Sequence, residues 1–235
     1  MMAVNPFARR DSHSSGSVTT YKVLTVLTWL LAVVVTTYYA FDSQWTGNHH
    51  RRTIWDQNYF WYSGFTQNKI ITSLYWYYLT PNPVCATLAN NFCPRLALFL
   101  LQIGYVAHLF SSKVETVNAA CSVGSHFILH NILHSAWVLL FVNGHFIISE
   151  LFLIANFFNL STLYFRHNTY PRAIHFPAVS GPLAWTFVAI YWNGAIMIPW
   201  QNTLVMRIFA NIFIWSILGY GMFFILAYKV RFFVK

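Results

Sequence analysis

Long apolar runs alternate with short polar segments along the whole chain. A helix in lipid must satisfy its own backbone hydrogen bonds, and about 20 apolar residues are needed to cross the hydrocarbon core. Five runs have nearly this length: 21–41, 119–142, 146–165, 183–198 and 208–228. Tyr and Trp cluster near several run ends, where their rings favour the membrane interface. The pattern predicts an all-α, polytopic transmembrane helical bundle.

The region 69–110 interrupts this pattern. Its apolar piece 70–78 is too short to span a membrane, 81–95 is polar, and 96–110 has only 15 residues. Joined directly, IITSLYW and LALFLLQIGYVAHLF would form one helix of 22 residues. The segment 77–95 is therefore interpreted as an insertion or retained intron. The alternative is a natural loop between an interfacial helix and a short spanning helix, and either interpretation gives about six spans.

Composition supports lipid as the surrounding solvent. Only 8% of residues are charged, against about 25% in a soluble domain. Hydrophobic residues make up 57% of the chain and the mean hydropathy is +0.48. A protein of this composition could not cover itself with a water-soluble surface. The expected partner is therefore the lipid bilayer.

The net charge of +9 could indicate nucleic-acid binding, but the basic residues lie in short clusters between the apolar runs. We therefore expect no nucleic-acid partner. With six spans and both termini on one side, nine Lys or Arg lie in segments on that side and five on the other. The positive-inside rule then predicts cytosolic N- and C-termini.

The chain is expected to form one transmembrane domain. Residues 1–20 are a polar, Ser-rich tail, and 21–235 contain all the apolar runs. The first run exceeds the 7–15 residues of a signal-peptide core, so it is expected to remain as an anchor. The loop 41–68 is polar but rich in Trp and Tyr, which favours a position along the membrane interface.

Three histidines fall in the second long run. His126, His130 and His134 in GSHFILHNILHSAW are spaced by four, which predicts that they share one face of a helix. That face could bind metal, relay protons or pack. Zinc sites usually need a third ligand, which Glu150 could supply across the turn at Asn143. Hydrogen-bonded neutral histidines are the favoured interpretation, and no metal or cofactor is predicted.

Other polar groups inside the apolar runs need a partner or a task. Glu150 lies about one turn inside its helix, where the helix dipole could stabilise it or where it could contact a ligand. Asn156 and Asn159 continue the polar character along the same run, and Asn193 adds an amide from the next. Gly181 and Pro182 are typical of a helix start.

Several stretches carry a resemblance to a known family. TTYKVLTVLTWLL, LQIGYVAHLFSS, VGSHFIL, ANFFNLSTLYFRH and VSGPLAWTFVAIYWNGA resemble, in the same order, a fungal family of polytopic membrane proteins defined by a domain of unknown function. His126 belongs to that family's pattern, whereas His130 and His134 stand where it has amide side chains. This departure weakens the hypothesis of a three-histidine site.

A more distant resemblance is to the tryptophan-rich sensory and translocator protein superfamily. It is carried by IITSLYW, FILHNILHSAW and GPLAWTFVAIYWN. This resemblance implies Trp-bearing helices around a cavity for porphyrins or sterol-like molecules. The superfamily has a core of five helices and six are predicted here, so individual cavity residues are not carried over.

No nucleophile elbow, phosphate-binding loop, dinucleotide fingerprint or paired-carboxylate motif is present, so no catalytic residue is assigned. The leading hypothesis is a receptor or carrier that binds an apolar small molecule within the bundle. An intramembrane lipid- or isoprenoid-modifying enzyme using Glu150 and a histidine, or a structural subunit of a membrane complex, are the alternatives. The candidate ligand-binding residues are His126, Trp137, Glu150, Asn156, Asn159, Trp185, Trp192 and Asn193.

Overall fold

The computed structural model describes residues 14–40, 53–54, 56–57, 93–166 and 172–198, with positions 204, 205, 208, 212, 215, 216, 218, 219 and 222. The described ranges contain helices and no strand. Their bounds are α1 Ser15–Ala40, α2 Cys93–Leu109, α3 Val114–Val142, α4 Phe146–Arg166, α5 Arg172–His175 and α6 Gly181–Met197, with a π-helical turn Phe176–Ser180 joining α5 to α6.

Four helices in the described part are long and apolar enough to cross a membrane. They are α1, α3, α4 and the continuous helix Ala173–Met197, which contains the π-helical turn. These helices correspond to the predicted runs 21–41, 119–142, 146–165 and 183–198; only the terminal residues 41 and 198 lie outside them. Three of the four helices, all but α4, begin several residues before the predicted run. The described part of the fold is therefore a helical bundle, and its four long apolar helices fit a multi-pass membrane protein. The fifth run, 208–228, and the segment 77–95 lie mostly outside the described residues. The count of six spans and the insertion therefore stay predictions.

The α-helix α6 begins at Gly181 with Pro182 in its first turn, as predicted, but it continues a longer helix instead of starting from a loop. Ser180 and Gly181 both have right-handed helical dihedrals, and the helix runs through them from Ala173. Pro182 lacks an N–H and its ring would clash with the carbonyl four residues earlier in a regular α-helix. The wider π-helical turn Phe176–Ser180 lies at that place, so the α-helical pitch of α6 starts only after it, within one continuous helix.

Helix α3 lies at the centre of the described bundle and packs along both α1 and α4. A Cβ built on Gly124 would lie 2.9 Å from Tyr21 Cδ1, and Thr36 lies beside His134, so α1 runs parallel to α3. The turn at 143–145 reverses the chain, and Gly144 adopts a φ of 80° there. Helix α4 is therefore antiparallel to α3, and α6 packs along α4.

Small side chains form the buried face of α1. Its buried residues are Thr25, Thr28, Ala32, Thr36 and Ala40, at spacings of three and four. Such residues let helix backbones approach closely in a membrane. The opposite face exposes Leu27 and Val34, which suits contact with lipid acyl chains.

Two apolar clusters occupy opposite ends of the bundle. The inner cluster, near the start of α3, includes Tyr105, Phe127 and Leu163. The outer cluster, near the α3–α4 turn, is formed by Ile54, Trp137, Val138, Phe141, Val142, Phe146, Leu153, Ala189, Trp192 and Ile196. Ile54 belongs to the loop 41–68, which is predicted to lie along the membrane interface. The described part of this loop lies at the same end of the bundle as the α3–α4 turn.

The described part of that loop begins a helical turn of its own. Thr53 N donates to Asp56 Oδ2 over 2.7 Å, and Asp56 N donates to Thr53 Oγ1 over 3.1 Å. This reciprocal pair is a capping box. Gln57 Nε2 then donates to the carbonyl of Val142 over 2.8 Å, which fixes this turn to the end of α3.

Candidate functional site

The three histidines of α3 contact two different helices. His126 Nδ1 lies 2.7 Å from Asn159 Oδ1, and His130 Nδ1 lies 3.1 Å from Asn156 Oδ1, both on α4. His134 Nε2 lies 3.2 Å from the hydroxyl of Thr36 on α1. Four residues advance a helix by about 400°, so each histidine is rotated about 40° from the one before it. Over two steps this rotation moves the third histidine towards a different neighbour.

The hydrogen bonds of the amides fix the tautomer of two histidines. Asn159 Nδ2 donates to the carbonyl of His126 over 2.9 Å, so its oxygen faces the imidazole. Asn156 Nδ2 faces the hydroxyl of Thr186, 3.5 Å away, and that hydroxyl donates to the carbonyl of Pro182. An amide oxygen only accepts, so Nδ1 of His126 and of His130 must carry the hydrogen.

We expect nitrogen NMR of histidine-labelled protein to show His126 and His130 as Nδ1–H tautomers. Free neutral imidazole prefers the hydrogen on Nε2, so the amide partners reverse the ordinary preference. Exposed His145 serves as the reference within the same sample. The replacement Asn159→Leu should return His126 alone to the ordinary tautomer, and Nε2–H signals for both residues in the unmodified protein would contradict the assignment.

A second polar group lies nearer the outer end and is called here the Glu150 cluster; it consists of Ser149, Glu150 and Asn193. Asn193 Nδ2 donates to Glu150 Oε2 over 2.7 Å and to the carbonyl of Phe146 over 3.0 Å. Ser149 Oγ lies 2.8 Å from Asn193 Oδ1 and 2.9 Å from the same carbonyl. These bonds join the start of α4 to the end of α6.

Glu150 itself is 7% exposed. Among the described residues, no cation forms an ion pair with its carboxyl group, and no donor reaches Oε1. An ionisable group in a spanning helix is costly unless it is paired or has a function. Among the described residues, only one of the two carboxyl oxygens of Glu150 thus accepts a hydrogen bond.

The aromatic candidates form a packed layer beside this cluster. Trp137 and Trp192 are fully buried, with ring centroids 6.1 Å apart. Phe141 lies 5.6 Å from Trp137 and 5.2 Å from Trp192. Trp185 is half-buried and packs against the same outer cluster. The rings therefore give the site a rigid apolar wall, since their positions are fixed by contacts with one another.

No family model, curated protein or solved structure matches this chain. The two resemblances drawn from sequence stretches therefore stay hypotheses.

The eight candidate residues fall at different depths. Glu150, Asn193 and the wall of Trp137 and Trp192 lie towards the outer end, with Trp185 packed against the same cluster. Farther along α4 from the α3–α4 turn, Asn156 pairs with His130, and Asn159 pairs with His126 farther still. Nine residues separate Glu150 from Asn159, or about 13 Å along the helix axis. Glu150 and His126 are therefore too far apart to exchange a proton directly.

No three His, Cys, Asp or Glu side chains converge on one point within the part of the chain that the structure describes. Three further polar partners, Thr36, Ser149 and Thr186, were not among the residues selected from the sequence. Ser149 lies seven residues before Asn156, so helical periodicity alone could have placed both on one face. The partnership of Thr36 with His134 depends on how α1 packs on α3, which no spacing within either helix reveals.

Proposed function

We propose that this chain is a multi-pass membrane protein that binds an apolar amphiphile beside α4 and α6, with the polar head of the amphiphile at the Glu150 cluster. The observation that supports this most directly is the carboxyl group of Glu150, which is buried and lacks both a described cation and a donor at Oε1. Helix packing alone would be satisfied by an amide or an apolar side chain at this position.

The depth of Glu150 suits the head group of an amphiphile. Glu150 lies four residues after Phe146, where α4 begins, which is about 6 Å along the helix axis. The head group would then lie just inside the interface, and the tail could extend along the apolar flank. Ile147, Leu151 and Ile154 expose their side chains on that flank of α4.

The distribution of cations supports an orientation for the site. Four of the five described Lys and Arg residues lie at the end of the bundle opposite the α3–α4 turn: Lys22, Lys113, Arg166 and Arg172. The fifth is Arg95. By the positive-inside rule this end faces the cytosol, as does the N-terminus. The Glu150 cluster would then face the lumen or the exterior, in a bundle of about six spans.

The sequence resemblance to the tryptophan-rich superfamily favours porphyrin- or sterol-like molecules as the first ligands to test. Trp137, Phe141 and Trp192 are fully buried against one another, so the choice of these molecules rests on the sequence resemblance alone.

A structural role in a larger membrane complex is the second candidate. The pairing of His126 with Asn159 and of His130 with Asn156 favours it, since these polar groups satisfy each other between helices. The enzyme hypothesis has less support, because Glu150 and His126 lie at separate depths of the bundle.

Ligand binding can be tested with purified protein in lipid nanodiscs. We expect protoporphyrin or dehydroergosterol to quench tryptophan emission saturably. Replacing Glu150 by leucine should weaken that binding by up to about tenfold, because one hydrogen bond contributes about 0.5–1.5 kcal/mol. Glu115→Leu is the matched control, since Glu115 is an exposed carboxyl at the start of α3.

The thermal unfolding temperature of each variant separates loss of binding from loss of fold. Unsaturable quenching by both probes in the unmodified protein would overturn the proposal and leave the structural role. Equal affinity for Glu150→Leu and Glu115→Leu would remove Glu150 from the site.

A further inference from the structure

We infer that the carboxyl group of Glu150 is reached from the lipid beside α4 and is closed off from water at the outer end of the bundle. The ligand therefore enters sideways, as a molecule already dissolved in the bilayer. The entry of a ligand rests on the proposed function, whereas the access to the carboxyl group can be measured without any ligand.

Glu150 lies on the border between the lipid-facing and the buried sides of α4. Viewed along the helix axis, Ile147 and Ile154 lie about 40–60° to one side of Glu150, and Phe146 and Leu153 lie about 40–60° to the other. Ile147 and Ile154 are 58% and 37% exposed, whereas Phe146 and Leu153 are buried. The stripe that faces lipid therefore reaches one flank of Glu150, and the packed core reaches the other.

An apolar layer separates the Glu150 cluster from the outer end; it is called here the roof and consists of Ile54, Phe146 and Ile196. Phe146 lies one turn outward from Glu150 on α4, and Ile196 lies one turn outward from Asn193 on α6. The three roof side chains are at most 3% exposed and belong to the same outer cluster. Within the described part of the bundle, water at this end meets apolar side chains before it meets the carboxyl group.

Hydrogen bonds hold the turn that carries Ile54 in place. Thr53 and Asp56 close the turn by their reciprocal bonds, and Gln57 Nε2 donates to the carbonyl of Val142 over 2.8 Å. Thr53 and Gln57 are themselves buried. The turn 53–57 is thus a plug at the outer end, and loosening it should admit water to the carboxyl group.

Two carbodiimides that share a reactive group but differ in solubility test the access route. Dicyclohexylcarbodiimide partitions into the bilayer, whereas a carbodiimide with an ammonium group stays in water. Both add to a neutral carboxylic acid, the form that burial without a described cation favours, and leave an N-acylurea that peptide mass spectrometry locates. In nanodiscs, we expect dicyclohexylcarbodiimide to label Glu150. The water-soluble reagent should label Glu150 much more slowly than the exposed Asp56 and Glu115.

Ile54→Ala tests the plug. The labelling rate of Glu150 by the water-soluble reagent should rise about fivefold or more, because weaker packing increases the population of the open form. Ile132→Ala is the matched control, since Ile132 is 45% exposed on α3, and it should leave the rate unchanged. Gln57→Leu removes the bond to Val142 and should act as Ile54→Ala does. The unfolding temperature of each variant shows whether the labelled protein is folded.

The results separate the access route from the ligand. Labelling of Glu150 by the water-soluble reagent as fast as that of Asp56, or no labelling by dicyclohexylcarbodiimide, would overturn access from lipid. Equal rates in Ile54→Ala, Gln57→Leu and Ile132→Ala would show that the turn 53–57 is not the plug.

Protection by a ligand tests the proposed function in the same assay. Dehydroergosterol or protoporphyrin in the nanodisc lipid should slow the reaction of Glu150 with dicyclohexylcarbodiimide severalfold. An unchanged rate with both molecules would count against the proposed function and leave the access route standing.

Discussion

Replacing Trp137 by alanine is expected to lower the free energy of unfolding by about 2–4 kcal/mol, the largest effect of any single truncation in the outer cluster. Trp137 is fully buried and contacts the rings of His134, Phe141 and Trp192. The chain unfolded in a membrane stays in lipid, so little hydrophobic transfer energy is lost. The cost comes from the cavity left behind and from the contacts removed with the ring.

Trp215→Ala is the matched control for this change. Trp215 is 70% exposed, so its ring has few protein contacts to lose. Unfolding titrations in mixed micelles should show a large shift for Trp137→Ala and a small one for Trp215→Ala. Equal shifts would mean that the outer cluster is not the packed core of the bundle.

Replacing Asn193 by leucine is expected to destabilise the protein by about 2–4 kcal/mol, since three hydrogen bonds are lost together. Asn193 joins α6 to Ser149, to Glu150 and to the carbonyl of Phe146. Its removal leaves the carboxyl group of Glu150 buried without any described donor, which is more costly than the loss of a bond between exposed groups.

A double-mutant cycle with Glu150→Leu measures this coupling. The double variant should be more stable than the sum of the two single losses predicts, because an apolar pair leaves no unsatisfied carboxyl group. Asn143→Ala is the control, since Asn143 is exposed and, among the described residues, its side chain bonds only to the carbonyl of Leu139 in α3. Strict additivity of the two changes would show that Asn193 does not act through Glu150.

These two changes address different properties of the same end of the bundle. Trp137 contributes packing, whereas Asn193 satisfies a carboxyl group that the proposed ligand would also contact. Trp137→Ala should lower stability while leaving the hydrogen bond between Asn193 and Glu150 in place in the fraction that remains folded. Loss of Asn193 should alter both stability and binding, since it supplies the described donor to Glu150 Oε2.

The helices of the bundle were largely predictable from the sequence. The runs behind α1, α3 and α4 are long and apolar, and in lipid such runs have no alternative to helix that satisfies the backbone. Their ends were less predictable, because α1 and α3 continue into polar residues that can fray or extend at the interface at little cost. The π-helical turn before Pro182 was missed, since a proline is equally typical of a helix start and of a distorted helix interior.

The polar residues of the candidate site could be selected from the sequence but not paired. Glu150, Asn156, Asn159 and Asn193 stand out because polar groups are rare in apolar runs. Spacing did not reveal that Glu150 pairs with Asn193 and not with a histidine. That pairing depends on the relative register of α4 and α6.

The sequence by itself determined that this protein is a bundle of membrane helices, and it determined which few polar side chains the bundle must accommodate. A local apolar run is sufficient to specify a helix in lipid, because each helix completes its own backbone hydrogen bonds. The tertiary structure alone decided that the histidines pair with α4 and α1, and that one oxygen of Glu150 has no described donor. Those facts depend on contacts between helices distant in sequence, whose register is fixed by side-chain packing and not by any local pattern.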